Sequence, residues 1–394
     1  MNKLFILLIF LLLSAFCNSQ TSVNPDISAV GTFNTFTNFV KGTAEYGKLN
    51  FQIPDMELYV EGYLNPYARA TVNVAFHEGE FHGEEIFAHI VRGLPLDLQI
   101  KAGKYLVGFG KINLTHPHAW SFIYRPLFQQ IYFGEEGFND IGINLSFILP
   151  TGDVYTTLDF GINKGSIFEH AHSGEHLEEQ DELPRSNSPI FVGRLGSFFS
   201  LSDYSNLEIG LSSSYGVHSN KYFNFTGDTT DSPINEPLYF TYAGFDFKYK
   251  YRPDSYTALV IQVEGIWNNR DVRRMKASDN ESNKDVKEKI NTLGCFIYAD
   301  YRFNKIFSVG AKYDFTYGIL GDHEAYNTLS NDDKNKTQGI EGWVGYYPVE
   351  ETLALRLGVQ HLWYDTVNEQ PRDAETTIVL QLIFSLGPHK AHPF

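Results

Sequence analysis

The chain has 394 residues and a formal net charge of −16, from 31 Lys and Arg against 47 Asp and Glu. That balance excludes a protein built to hold nucleic-acid phosphates, which needs clustered positive charge. A hydrophobic content of 43% excludes intrinsic disorder. Aromatic residues reach 15%, with 24 Tyr and 32 Phe beside 3 Met, and charged residues stand at 20%, below the roughly 25% of an ordinary soluble protein. This composition leans towards strands.

The N-terminus reads Met1-Asn2-Lys3, then an apolar run from Leu4 to Leu13, then Ser14-Ala-Phe-Cys-Asn-Ser19. One positive charge, a short apolar core and small residues after it predict a secretory signal peptide over 1–19. The run is shorter than the ~20 residues of a membrane-spanning helix. Phe16 is bulky where a lipidation site wants a small residue before Cys17, so cleavage near Ser19 is expected instead. Residues 20–394 are expected to form one domain. In that stretch Cys295 is the single cysteine, which excludes an intrachain disulfide there.

No later stretch holds the ~18 consecutive apolar residues that a spanning helix needs. What recurs is alternation of period two, the mark of a strand with two different faces. Leu207, Ile209, Leu211 alternate with Glu208, Gly210, Ser212; Phe307, Val309, Ala311, Tyr313 alternate with Ser308, Gly310, Lys312, Asp314. Leu353, Leu355, Leu357, Val359 alternate with Ala354, Arg356, Gly358, Gln360, and Ile378, Leu380, Leu382, Phe384 with Val379, Gln381, Ile383, Ser385. In chain order, strands are expected near 27–39, 55–64, 66–77, 83–92, 96–106, 138–149, 153–163, 188–199, 205–217, 236–251, 255–268, 288–303, 306–318, 337–348, 351–363 and 373–386. Runs of this length exceed the ~5–6 residues of soluble strands and match tilted strands that cross a bilayer. Tight turns such as Asn65-Pro66, Pro150-Thr-Gly152 and Asn304-Lys305 alternate with long polar loops, near 40–54, 106–137, 164–188, 217–236, 268–287, 318–336 and 364–373. The fold class is therefore all-β, a transmembrane antiparallel β-barrel of about 16 strands, the size that leaves an aqueous channel. The even count puts both termini on the periplasmic side.

The longest connection, Val107 to Gly137, contains Trp120, Phe122, Tyr124, Leu127, Phe128, Ile131, Tyr132 and Phe133. So many apolar groups must bury themselves, and the lumen is the nearest place. With Lys101-Ala-Gly-Lys-Tyr105, Phe109-Gly-Lys-Ile-Asn113, His116-Pro-His118 and Phe133-Gly-Glu-Glu-Gly137, the chain resembles Gram-negative outer-membrane porins of the phosphate-selective porin superfamily. It is most similar to a zinc-regulated porin-like branch, which its opening Asn24-Pro-Asp-Ile-Ser-Ala-Val-Gly31 and its closing Gly387-Pro-His-Lys-Ala-His-Pro-Phe394 also resemble. The resemblance implies a third loop folded into the pore. The acidic balance departs from the basic ladder that a phosphate channel needs.

The face opposite the apolar one supplies Glu57, Glu61, Arg69, Lys101, Asp159, Glu208, Asp246, Lys248, Lys250, Glu264, Asp300, Arg302, Lys312, Asp314 and Arg356. A polar, wet wall is expected, with Lys101, Arg302, Lys312 and Arg356 lining the pore. Glu135 and Glu136 on the inserted loop are expected to face Lys312 and Arg356, or else to anchor the loop to the wall. On the fourth long loop, His170, His172 and His176 stand with Glu169 and Glu175, a donor set that suits Zn²⁺ or another divalent cation. A solvated acidic loop, or one bridged by Ca²⁺ or Mg²⁺ to lipopolysaccharide, is the competing reading. A looser set, His77, Glu78, Glu80, His82, Glu84 and Glu85, is placed on the second long loop, and His116 and His118 are expected to make structural hydrogen bonds.

The sequence contains no Gly-x-Ser-x-Gly elbow, His-Glu-x-x-His, P-loop or Cys-x-x-Cys, so no enzyme is expected. The expected function is passive diffusion of small hydrophilic solutes or ions, metal cations among them, across the outer membrane of a Gram-negative bacterium. A non-conducting receptor or metal-binding barrel is the alternative. Expected partners are outer-membrane lipid and lipopolysaccharide, with a homotrimer by analogy and no nucleic acid; no cofactor is required.

Overall fold

The computed structural model describes residues 25–77, 80–134, 136–168, 188–222, 234–276, 284–317, 336–349, 352–365 and 372–387. The expected signal peptide lies outside them. Sixteen strands follow one another: β1 (Asp26–Phe39), β2 (Leu49–Asn65), β3 (Ala68–His77), β4 (Glu80–Ile90), β5 (Gln99–Leu106), β6 (Asn139–Leu149), β7 (Tyr155–Asn163) and β8 (Ile190–Ser202). Then come β9 (Ser205–Tyr222), β10 (Ile234–Tyr251), β11 (Ala258–Lys276), β12 (Lys284–Phe303), β13 (Phe307–Tyr317), β14 (Lys336–Val349), β15 (Leu353–Tyr364) and β16 (Glu375–Leu386). Each pairs antiparallel with its sequence neighbours, and β1 closes the barrel on β16 with Thr35 opposite Leu380. Closure leaves no sheet edge, so every strand finds its backbone partners within the ring.

The alternation acts as predicted, and in the inverse sense of a soluble protein. On β14 to β16 the apolar Val344, Leu357 and Leu380 are exposed, whereas Glu341, Arg356 and Gln381 are buried. Apolar groups that face outward around a closed barrel need a solvent that does not penalise them, which is lipid. No helix among the described residues is long and apolar enough to cross a membrane.

The short turns are closed by side chains suited to them. Asn65 Oδ1 accepts from the amides of Tyr67 and Ala68 at 2.8 and 2.9 Å, and Asp254 Oδ1 accepts from those of Tyr256 and Thr257 at 2.6 and 2.7 Å. These are local mimics of a turn's own hydrogen bonds. The Tyr256 and Thr257 amides hold the Asp254 carboxyl below its ordinary range.

Three expectations change. Strands β9 to β12 run 18, 18, 19 and 20 residues, so pairing continues into segments expected as loops; polarity alone does not end a ladder whose two sides still satisfy each other. The set His77, Glu80, His82, Glu84 and Glu85 is not on a long loop, because His77 already pairs with Glu80 across β3 and β4; Glu78 lies outside the described residues. Within that pairing the register slips between Asn73 and Val74, whose partners are Glu85 and Gly83. This bulge inserts Glu84 as an extra residue, which makes two consecutive acids look like loop in the sequence. Finally, the wall is not wet throughout. Tyr242, Phe296, Tyr298 and Trp343 point inward and form a buried aromatic core with the inserted loop.

Candidate functional site

The connection between β5 and β6 enters the lumen and is held there by wall side chains that satisfy its backbone. Glu264 on β11 accepts from the amides of Lys111 and Ile112 at 3.0 and 2.6 Å, and Ser212 on β9 from that of Gly110 at 3.1 Å. Asn113 closes the neck of the loop: its amide donates to the carbonyls of Val107 and Phe138, and its oxygen accepts from the Phe138 amide. Glu341 on β14 accepts from Ile123 N at 2.6 Å, and Asp314 on β13 from Leu127 N at 3.3 Å, where the short helix α1 (Leu127–Phe133) begins. Phe122, Phe128 and Phe133 of the loop pack on Phe296, Tyr298, Trp343 and Tyr242 with ring centroids 5.0–6.3 Å apart. A buried backbone segment without such acceptors would lose roughly 1–3 kcal/mol per orphaned group. Inward carboxylates are therefore structural necessities of an inserted loop.

Lys312 sits at the centre of this anchor. Its ammonium lies 3.2 Å from Asp314 and 2.9 Å from Glu341, donates to the carbonyl of Tyr124 and stands 4.3 Å over the Phe122 ring. Arg356 donates to the carbonyl of Phe122 at 3.4 Å and to Gln381 at 3.4 Å. Glu136 instead meets Lys104 on β5 at 3.5 Å, on the β5 side of the loop rather than opposite Lys312 or Arg356; Glu135 lies outside the described residues. Lys101 lies over the rings of Phe87 and Tyr105 at 4.8 and 5.3 Å, and Arg302 over Tyr347 at 4.3 Å.

On the opposite wall the loop presents its two histidines to a group of acids. Pro117 opens a 3-10 turn, Pro117–Ala119, a position where its fixed φ suits a helical start. His116 and His118 on either side of it stack at 5.7 Å and 15°. The carboxylate of Glu57 on β2 bridges them, with His116 Nδ1 at 3.3 Å from Oε2 and His118 Nδ1 at 3.0 Å from Oε1. His116 Nδ1 is also 3.7 Å from Glu84, and its Nε2 is 2.9 Å from Glu85. Asn73 on β3 donates to Glu57 and Glu84 at 2.7 and 3.1 Å. Burial alone would lower the His116 pKa, but the attraction of Glu57 and the hydrogen bonds to Glu57 and Glu85 hold it well above its ordinary value. Two overlapping groups, Glu57, Glu84 and His116, and Asp55, Glu57 and His118, each bring their donor atoms within 4.8 Å of one another. They are the groups among the described residues with the composition to hold a metal ion.

Sequence reasoning separated these residues, because the loop's path joins positions far apart in the chain and the bulge hides Glu84 and Glu85 from a period-two search. The signal available was the pair His116-Pro-His118 itself, two donors either side of a turn former. The predicted metal residues His170, His172, His176, Glu169 and Glu175 lie outside the described residues.

A cavity of about 80 Å³ opens on the loop's other flank, between Lys111, His118 and Trp120 of the loop and Lys248, Tyr298, Arg302, Tyr347 and Arg356 of the wall. Its lining reaches Thr352 and Leu353, at the β14–β15 turn, and so lies towards the short-turn end. The lining holds Lys111, Lys248, Arg302 and Arg356 and no Asp or Glu, while Glu208, Glu264 and Asp300 act on these bases from beyond it. Lys111 reaches Glu208 beyond it.

The chain matches no protein-family model. A protein of Aquifex aeolicus described as uncharacterized is 25% identical over 360 residues, 90% of this chain and 73% of that protein. Among solved structures, the anion-selective porin from Comamonas acidovorans superposes with a TM-score of 0.55 at 9% identity, over 92% of this chain and all of that one (100%). OprB of Pseudomonas putida gives 0.54 at 10% identity over 92% and 94%, and the outer-membrane channel DcaP of Acinetobacter baumannii 0.53 at 11% over 93% and 99%. The chain therefore has the closed sixteen-stranded fold of Gram-negative outer-membrane porin barrels.

Proposed function

We propose that this protein is an outer-membrane channel for passive diffusion of small hydrophilic solutes or ions. The observation that supports it best is the inserted loop, which runs through a sixteen-stranded barrel between an acid and histidine face on β2 and β4 and a basic cavity on β10 to β15. Opposed charges on two sides of a constriction orient dipolar solutes and bias the choice of ions. The motif resemblance to phosphate-selective and zinc-regulated porin-like barrels supports the same loop insertion. Capture of metal cations by His170, His172 and His176 at the channel mouth belongs to this reading, and zinc calorimetry on a 168–183 peptide tests it separately.

Refolded protein in liposomes is expected to admit sugars of graded size in a swelling assay, and to give single-channel steps with a measurable reversal potential in a KCl gradient. Absence of both would favour a closed receptor. The proposal assigns no catalysis; turnover of ester, phospholipid or casein substrates by the refolded barrel would contradict it. Its exterior fits lipid and lipopolysaccharide, and the mass of the detergent-solubilised particle reads whether it forms the homotrimer expected of such barrels.

A further inference from the structure

We propose that His116, Glu57 and Glu84 form a binding site for a divalent first-row transition cation, of which Zn²⁺ is the probe, pinning the inserted loop to the β2–β4 wall. His118 and Asp55 stand on the other side of the Glu57 carboxylate as additional donors.

Imidazole nitrogen and carboxylate oxygen together suit Zn²⁺ and its neighbours, whereas Ca²⁺ and Mg²⁺ want oxygen alone. Four carboxylates, Asp55, Glu57, Glu84 and Glu85, gather around two imidazoles. Lys101 acts on this group from the Glu85 side, and Arg69 is engaged by Glu61 at 3.0 Å. The surplus is negative, in a place shielded from water.

Geometry agrees. Donors at about 2.1 Å around a tetrahedral ion stand roughly 3.4 Å apart. His116 Nδ1 already lies 3.3 Å from Glu57 and 3.7 Å from Glu84, and the three donor atoms all lie within 4.8 Å of one another, so modest side-chain shifts complete the triangle. The ring is also oriented for the task. Its Nε2 is hydrogen-bonded to Glu85 at 2.9 Å, the carboxylate partner that metal-binding histidines commonly use to fix tautomer and direction. The Nε2 edge of the ring faces Glu85 and its Nδ1 edge faces the carboxylates of Glu57 and Glu84, so an ion at Nδ1 would have anionic oxygens on its other sides. Asn73 holds Glu57 and Glu84 in place from the wall, and the Leu106 amide donates to Glu85 at 3.2 Å. Access exists from both flanks: the Glu84 and His116 side chains are 15% and 18% exposed, and His118 lines the cavity.

The three donors arrive from β2, from the bulge of β4 and from the loop, so an ion bound there ties the loop to the wall. Simple ion pairing by a doubly protonated His116 is the competing account, and the test separates the two. The full-length barrel, refolded in detergent and carrying His170→Ala, His172→Ala and His176→Ala so that the outer loop is silent, is titrated with Zn²⁺ by calorimetry and with Co²⁺ by visible absorption. The expected result is one Zn²⁺ per barrel at micromolar or tighter affinity, with the d–d bands of tetrahedral Co²⁺. Affinity is expected to fall at least 10-fold in Glu84→Gln and in His116→Gln, each checked by circular dichroism for an intact barrel. No binding to the parent barrel, affinity unchanged in either variant, or Mg²⁺ bound as tightly as Zn²⁺ would each overturn the site. Binding is read without conduction, so a barrel that binds zinc and conducts nothing would refute the channel and leave this site standing.

Discussion

Lys312 and Glu136 show how differently two charges of one loop–wall system count. The Lys312 ammonium is fully buried, and its two carboxylates, Asp314 and Glu341, also accept from the loop amides of Leu127 and Ile123. Removing one member of a buried pair leaves the others desolvated and uncompensated, a loss of about 3–5 kcal/mol. Lys312→Met is expected to lower equilibrium stability by that order in urea titrations of the barrel refolded into lipid vesicles. Glu136 and Lys104 are 42% and 29% exposed at 3.5 Å, the geometry of a surface pair that contributes under about 1 kcal/mol. Glu136→Gln should barely move the same titration. If the two variants behaved alike, the loop would not be anchored through Lys312. That Lys312 faces inward was readable from its place opposite the apolar residues of β13. That it holds the loop was not, since alternation reports a side chain's face and says nothing of which distant segment comes to meet it.

At the level of elements, the inserted loop stands on its aromatic stem. Phe122 has no exposed surface and meets Phe296, Tyr298 and Trp343 at 6.0, 5.0 and 6.3 Å. Truncating such a ring costs about 3–5 kcal/mol, and here the loss falls on one attachment rather than on the barrel ladder. Phe122→Ala is expected to loosen the loop, seen as higher and noisier single-channel conductance with the sheet signal of circular dichroism unchanged; a quiet, unaltered conductance would place the constriction elsewhere. The sequence announced this element through its unusual aromatic density, because a solvated loop has no use for eight large apolar groups. It concealed the length of β9 to β12. At about 3.3 Å per residue the 20 residues of β12 span roughly 66 Å, well beyond a tilted crossing of an apolar band about 25 Å tall. Their outer ends pair in water, and a period-two search tuned to one apolar face stops where that face turns polar. Asp271 laces this outer wall: its carboxylate accepts from Tyr239 N at 3.1 Å and lies 3.3 Å from Lys287, and its carbonyl meets His218 at 2.8 Å. Asp271→Ala is expected to speed amide hydrogen exchange in the outer ends of β10 and β12 while the melting temperature of the barrel holds. Uniform exchange along these strands would show that Asp271 holds nothing there.

Over the whole molecule, one inversion underlies every assignment of wall and lumen. Large apolar side chains are exposed while Glu57, Asp246, Glu264, Lys312, Asp314 and Glu341 are buried, a distribution that water would not permit. The apolar contribution per exposed group reverses sign only if the surroundings are hydrocarbon. Leu357 and Leu380 test this directly, since they pair in register at the middle of β15 and β16 and are 48% and 47% exposed. An arginine at the bilayer midplane on the lipid face of a barrel costs about 2–4 kcal/mol, falling towards zero near the interfaces. Leu380→Arg is therefore expected to lower the folding free energy into lipid vesicles by that amount. Thr377→Arg, on the same strand but turned into the lumen beside Gln360 and Asn38, meets polar surroundings there and should cost much less. The comparison is internally controlled, because both substitutions add the same group to the same strand. Equal effects would mean that the two faces of β16 see the same medium, and neither the lipid exterior nor the lumen built upon it would survive.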